Sequence, residues 1–337
     1  MKVLSSDQLP HNIDSNYSFP FLKSYSEFCR KYERSEVIFF FSEENQSLAP
    51  AKLYNIKFLK LLRFLFPPLR DGMEIPVTEE KSFLQSAVQK IRQEKLCHRI
   101  VQPENFCLFR CYPENSMFAP FGSYRVNLLL SMQQLESNLR PKTRNAIKNA
   151  IKLGPRTKEG KTELTIFYAL YKQMSDRKGL HADAFEYYKS LYESMGEQYV
   201  LCRNVYMNDV PIGGIFILYS LSGAYYISGG STTNTMASGL IKFLHWDTMM
   251  TLKEKGVKVY DFVGARVRDV SGTPLEGVQG FKSRFGGELE KGFLWKMDID
   301  KKQCKLFDTF LRIKMALKGK KPLPDIIDQE IAAVNRK

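Results

Sequence analysis

The densest concentration of chemistry-capable side chains is Phe281-Lys282-Ser283-Arg284-Phe285-Gly286-Gly287. Phe281 and Phe285 can anchor the backbone while the Lys282 ammonium faces a cleft; the alternative is a solvated lysine beside a turn. Arg284, two residues on, shares the face of Lys282 only in an extended segment. Gly286 and Gly287 permit close backbone approach or a positive φ, or simply make a turn. Upstream, Asp261 stands between Val259 and Val263 on one strand face, so burial and therefore pairing are expected. It either orients a cation such as Lys282, acts as a base for an amine, or makes a purely structural salt bridge. His245 follows Lys242 by three residues, opposite the polar side formed by Asp247, Thr251, Glu254 and Lys255. It is either a base reaching a cleft or a core histidine. Tyr225 and Tyr226 are candidates for substrate contact, with core packing as the alternative.

A second cationic feature is the helix predicted over 138–154, with Pro141 in its first turn and Gly154 as its stop. Arg144, Lys148 and Lys152 recur every four residues and form one ridge, while Ile147 and Ile151 can anchor the adjoining face. No acidic residue occurs between Arg140 and Lys158. A ridge without opposite charges repels itself, so either an anionic ligand or plain solvation accounts for it.

These residues need elements to hold them. The stretch 223–295 reads as strand, loop, long helix, strand, turn and strand. Met236-Ala237-Ser238-Gly239 opens the helix predicted over 240–255 and Gly256 stops it. A strand over 258–263 runs into Gly264-Ala265, and a last strand covers 293–297. A strand delivering its end to a helix N-terminus, with a cationic motif later in the same unit, makes an anion-binding cleft. Before it, helices are expected over 25–32 and 76–94 and strands over 36–42, 106–112 and 124–130. Helices over 162–178 and 185–194 follow, then strands over 199–207, 212–219 and 223–229. The fold class is therefore α/β with mixed sheets flanked by helices. The expected division is 1–158, 159–300, and a basic helical tail 301–337, with a helix over 306–317 suited to docking on the body or to acidic lipid headgroups.

The 337 residues hold about two domains. A hydrophobic fraction of 44% with 26% charged residues excludes a disordered or fibrous chain. The net charge of +14 favours acidic partners: a phosphorylated cofactor, nucleic acid or an anionic membrane face. Six cysteines and four histidines show no metal-ligand spacing, so a reduced, metal-free, cytoplasmic protein is expected. The most apolar run, 56–66, carries Lys57, Lys60 and Arg63 and is too short to span a bilayer. It reads either as a basic amphipathic helix on a membrane surface or as a core element running into Pro67-Pro68.

Three features together resemble the Fem family of peptidoglycan-bridge aminoacyltransferases and their FemAB-like acyltransferase relatives. They are the Arg-rich helix ending at Gly154, the helix–Gly–strand segment 240–263 with Tyr260-Asp261-Phe262, and Phe281-Lys282 followed by Phe285-Gly286-Gly287. The matched features run from about residue 138 to 297, the first 137 residues agreeing only in general layout. The resemblance implies two tandem GNAT-like domains and transfer of an acyl group to an amine. The donor it implies is an aminoacyl-tRNA or an acyl-CoA, with no permanently bound cofactor. The acceptor is a phosphate-bearing cell-wall or sugar precursor, with peripheral contact at the inner membrane face as a further implication. Lys282 falls on the lysine of the family's FK…FG motif, where a cation stabilises an oxyanion or binds acceptor phosphate. Coenzyme A-dependent GNAT enzymes carry a Q/R-x-x-G-x-G/A pyrophosphate loop at the helix start. Here that place reads Asn234-Thr235-Met236-Ala237-Ser238-Gly239 and keeps only its last glycine, which favours another donor. The alternatives are an acetyl-CoA-dependent N-acetyltransferase on a sugar precursor, and a catalytically silent tandem-GNAT binding protein.

Overall fold

The computed structural model describes residues 1–9, 13, 16–233, 236–319 and 322–334. It divides into two compact units. One comprises Met1–Ile13, Cys29–Gly122 and Lys291–Lys337; the other comprises Asp14–Phe28 and Ser123–Glu290.

In the first unit, Glu36–Ser42 (EVIFFFS) is a run of β-branched and aromatic residues, buried at four successive positions, as befits a central strand. Lys2–Ser5 pairs with one edge and Ser47–Ile56 with the other, both antiparallel. Leu59–Phe64 follows antiparallel and Arg99–Ile100 parallel, and Met297 and Asp298 of the strand Glu288–Asp298 close the order. The helix Val77–Gln93 lays Leu84, Val88 and Ile91 on its buried face. The run 56–66 is the core element of the two alternatives, not a surface helix: Leu59, Leu61, Leu62, Phe64 and Leu65 are buried. Lys57 at φ +56° turns the chain, and Ile56 pairs with Leu59 to make a β-hairpin. The strand expected over 106–112 reduces to one bridge, Phe109 to Phe293. Phe106, Cys107, Leu108 and Phe109 are all buried, so the segment packs as core while pairing with a strand at Phe109.

The expected separate tail is part of this unit. Asp300 caps the helix Lys301–Ala316 by accepting from the Lys302 and Gln303 amides, both at 3.0 Å. The helix buries Cys304 and Phe307 against Leu59 and Leu61. Ile327 of the helix Ile326–Val334 packs with Leu108, Phe121 and Leu294. Burial of these apolar side chains, not chain position, decides membership.

In the second unit the sheet order is residues 123–127 of the strand Met117–Asn127, then Val259–Asp261, Ala224–Ser231, Val210–Tyr219, Val200–Met207 and Arg156–Glu159. Every neighbour is antiparallel except Ala224–Ser231 with Val259–Asp261. That parallel pair needs a crossover, supplied by the helix Ala237–Glu254. The helix Pro141–Lys152 belongs here too, which displaces the expected boundary at 158. Its Ile147 and Ala150 share a core with Leu240 and Leu244 of the crossover helix. The helix Leu164–Arg177 lies on the sheet so closely at Gly230 that an added Cβ would stand 2.4 Å from the Tyr171 amide nitrogen.

Candidate active site

The site grows from the parallel strand pair of the second unit. Its register holds at Ala224–Tyr260 and Tyr225–Asp261 and stops there, although Ala224–Ser231 continues. Before that continuation Phe216 faces Ser228 while Ile217 faces Tyr226, so Ile227 is an extra residue. Such a bulge bends a strand and ends pairing on one side. A cleft of about 560 Å³ opens beyond the break, lined by Tyr226, Gly229 and Gly230 of the strand, Ala237 and Ser238 of the crossover helix, and Lys282.

Lys282 ends a helix that sequence patterning missed, Leu275–Lys282. Its Nζ donates to the Val263 carbonyl and, at 2.8 Å, to the Gly264 carbonyl. Two of three ammonium hydrogens are thereby used inside the protein, and one remains for the cleft. Burial lowers its pKa to about 8, against a raising contribution from the Asp261 carboxylate. The two carbonyls converge because Val263 and Gly264 both have positive φ, +52° and +74°. For a β-branched residue this conformation is strained and persists only when neighbours enforce it.

Asp261 is the enforcer. One carboxylate oxygen accepts from the Val263 amide at 2.7 Å and from the Ser123 hydroxyl, the other from Arg125 Nε at 2.7 Å. With Asp261 buried among these donors, the geometry suits the orienting role and leaves no oxygen turned to the cleft for the base role. Arg125 and Ser123 were invisible in sequence, since only strand register sets Arg125 opposite Asp261.

The remaining candidates separate. Tyr226 lines the cleft, its phenol pushed up to about 12 by burial, so it stays protonated. Tyr225 faces the other way: its hydroxyl accepts from Ser18 at 2.9 Å and its ring meets Phe19, as strand alternation requires. His245 is fully buried, with Nδ1 2.8 Å from the Tyr260 hydroxyl and its ring against Tyr226, Phe281 and Phe285. Burial, and then the Lys282 charge, push its pKa down to about 3. So weak a base does not deprotonate an amine; the imidazole belongs to the core. Ala237 and Ser238 line the cleft with the first amides of an 18-residue helix, whereas Gly239 lies toward the Ala146 carbonyl. Asn234 and Thr235 of the same loop lie outside the described residues.

Arg284 is exposed and off the cleft lining, because a short helical turn, not an extended segment, carries it past Lys282. The ridge is less free than its sequence suggests. Arg144 donates to the Ser137 and Leu139 carbonyls, and Lys148 pairs with Glu136 at 2.8 Å, both across a helix–helix corner. Lys152 is exposed. Lys178, absent from the sequence candidates, is a second cation on the cleft. Gly286 has a structural explanation: its φ is +76°, and a Cβ would meet the Asn138 backbone at 2.8 Å. Gly286→Ala is expected to cost roughly 2–4 kcal/mol, strain and overpacking adding together. A fall in the denaturation midpoint with KM unchanged would bear this out; a raised KM at unchanged stability would make it a substrate contact.

Residues 137–282 match the acetyltransferase (GNAT) domain family, all of them within the second unit. None of the curated proteins matches the chain in sequence. Among solved structures, FemX is similar with a TM-score of 0.69 at 12% identity, covering 91% of this chain and 99% of that one. A conserved protein of unknown function from Bacteroides thetaiotaomicron superposes with a TM-score of 0.50 at 13% identity, covering 84% and 92%. The C-terminal domain of a putative lysylphosphatidylglycerol synthetase from Agrobacterium fabrum gives 0.49 at 15% identity, covering 78% and 84%. The domain match makes the second unit a GNAT fold, the fold of an acetyltransferase domain family. The chain as a whole shares the fold of FemX.

Proposed function

We propose that this protein transfers an acyl group from a phosphate-bearing donor to an amine on a cell-wall or polysaccharide precursor. One observation carries the reading: the interrupted parallel pair opens a single cleft that both the first turn of the Ala237–Glu254 helix and the Lys282 ammonium line. The helix N-terminus offers unsatisfied amides and positive potential to donor phosphate. Lys282 and Lys178 add charge to the same space.

In the reaction, the acceptor nitrogen forms a C–N bond to the acyl carbon while the bond to the donor's sulfur or oxygen breaks. Charge develops on the acyl oxygen, and the remaining Lys282 hydrogen is placed to meet it. The amine's proton leaves to solvent, and Tyr226, kept neutral, can protonate the departing atom. Asp261 positions Lys282 through Val263 and does not itself meet substrate.

The test is turnover measured side by side with acetyl-CoA and aminoacyl-tRNA at fixed salt, since phosphate binding depends steeply on ionic strength. Product from either donor supports acyl transfer and selects the donor; no product, with donor binding intact, supports the silent-fold alternative. Ser238→Asp sharpens it. A carboxylate in the first turn favours the helix and can pair with Lys242, whose Nζ is already 3.1 Å from the Ser238 hydroxyl. Thermal stability should hold or rise while donor KM increases about tenfold or more from charge repulsion; an unchanged KM would remove the helix N-terminus from the donor site.

A further inference from the structure

The helix Lys301–Ala316 has two apolar faces, and the body of its unit uses one. Cys304 and Phe307 pack inward. Leu306, Phe310, Ile313 and Leu317 recur at i, i+4, i+7 and i+11, one continuous stripe on a helix. Most of that stripe faces out: Leu306 is 59% exposed, Ile313 58% and Leu317 85%, with Phe310 half-buried between them. The tip of the 56–59 hairpin extends it. The Phe58 ring lies 5.6 Å from Phe307 and 6.0 Å from Phe310, and Ile56 and Phe58 are 45% and 43% exposed. Lys57 Nζ sits 4.1 Å over the Phe310 ring. Helical spacing sets Lys302 and Lys305 along one border of the stripe and Lys314 and Lys318 along the other, all exposed. Asp308 is the sole acidic residue of 301–319, and it is engaged by Arg99 at 2.8 Å.

We propose that this face docks on an anionic phospholipid surface, the hairpin tip and the Leu306–Leu317 stripe entering the headgroup–acyl boundary and the bordering lysines meeting lipid phosphates. Charge selects this occupant. A second copy would bring lysine rows against lysine rows, and a nucleic acid backbone has no use for five exposed aliphatic and aromatic side chains. An apolar stripe bordered by lysines is the arrangement that lies in a bilayer interface. No helix among the described residues is long and apolar enough to cross one, so the contact is peripheral. The inference is independent of the acyl-transfer reading, and its test involves no catalysis.

The experiment is co-sedimentation of the full chain with vesicles of phosphatidylcholine alone and with about a third phosphatidylglycerol. Binding is expected only to the anionic vesicles, weakening as salt rises. Ile313→Asp with Leu317→Asp, both exposed positions, should leave the melting temperature unchanged and weaken binding tenfold or more. Lys302, Lys305, Lys314 and Lys318 changed together to Gln should weaken it by about fivefold per lysine near the surface. Three results would each overturn the proposal: equal binding to neutral vesicles, full binding by the double aspartate variant, or a lipid-free dimer that this variant dissolves.

Discussion

Lys282→Ala is expected to lower kcat by about 10²–10³-fold, the range for removing one preorganised donor from a developing oxyanion. The cause is local: the ammonium spends two hydrogens on the Val263 and Gly264 carbonyls and holds the third toward the cleft. Lys282→Arg keeps the charge but cannot seat a planar fork on both carbonyls, so it should not rescue turnover. With the pKa lowered to about 8, the charged form prevails below that pH. Activity should be level up to pH 8 and fall above it through a single ionisation. A rise through pH 8 instead would make the neutral amine, a base, the working form. Stability should move the other way. The unfolded chain carries the ordinary value of 10.5, so between pH 8 and 10.5 it binds more protons than the folded state. Folding is therefore favoured as pH rises across that window. Opposite trends in activity and melting temperature are the signature of this buried lysine. An alanine variant with undiminished kcat would return Lys282 to the role of a scaffold residue.

Asp261→Asn should destabilise the second unit by about 3–5 kcal/mol, the cost of removing one partner from a buried ion pair. Arg125 keeps Glu290 at its outer end, which argues for the lower part of that range. Asparagine keeps one oxygen for the Val263 amide but sets an NH2 donor where the second oxygen accepted from Arg125 Nε, so donor faces donor there. Two measurements separate positioning from base catalysis. The denaturation midpoint should fall in urea with the slope unchanged. The upper limb of the pH–activity profile should move to lower pH, because the Asp261 charge is what raises the Lys282 pKa against burial. Were the limb to stay in place while kcat collapsed, Asp261 would be acting on the substrate directly.

The amino-acid sequence by itself determined most of the local elements and pointed to the candidate site. Apolar periodicity and stop signals placed the Ala237–Glu254 helix, its terminating Gly256 and the strand that follows, because these depend on neighbours a few residues apart. The same local logic put Lys282 and the start of that helix in one unit, enough for the FemAB-like resemblance. Tertiary structure decided everything set by partners distant in the chain. That Asp261 is locked by Arg125 and Ser123 follows from strand register, which no local pattern encodes. That Tyr226 lines the cleft and Tyr225 does not follows from which sheet face is covered. The Arg144–Lys148 ridge looked unpartnered because its carbonyls and Glu136 come from the preceding helix, met only after the chain turns. His245 illustrates the same limit most plainly: its spacing allowed a base or a core residue, and only enclosure by Tyr226, Phe281 and Phe285 lowers its proton affinity beyond use.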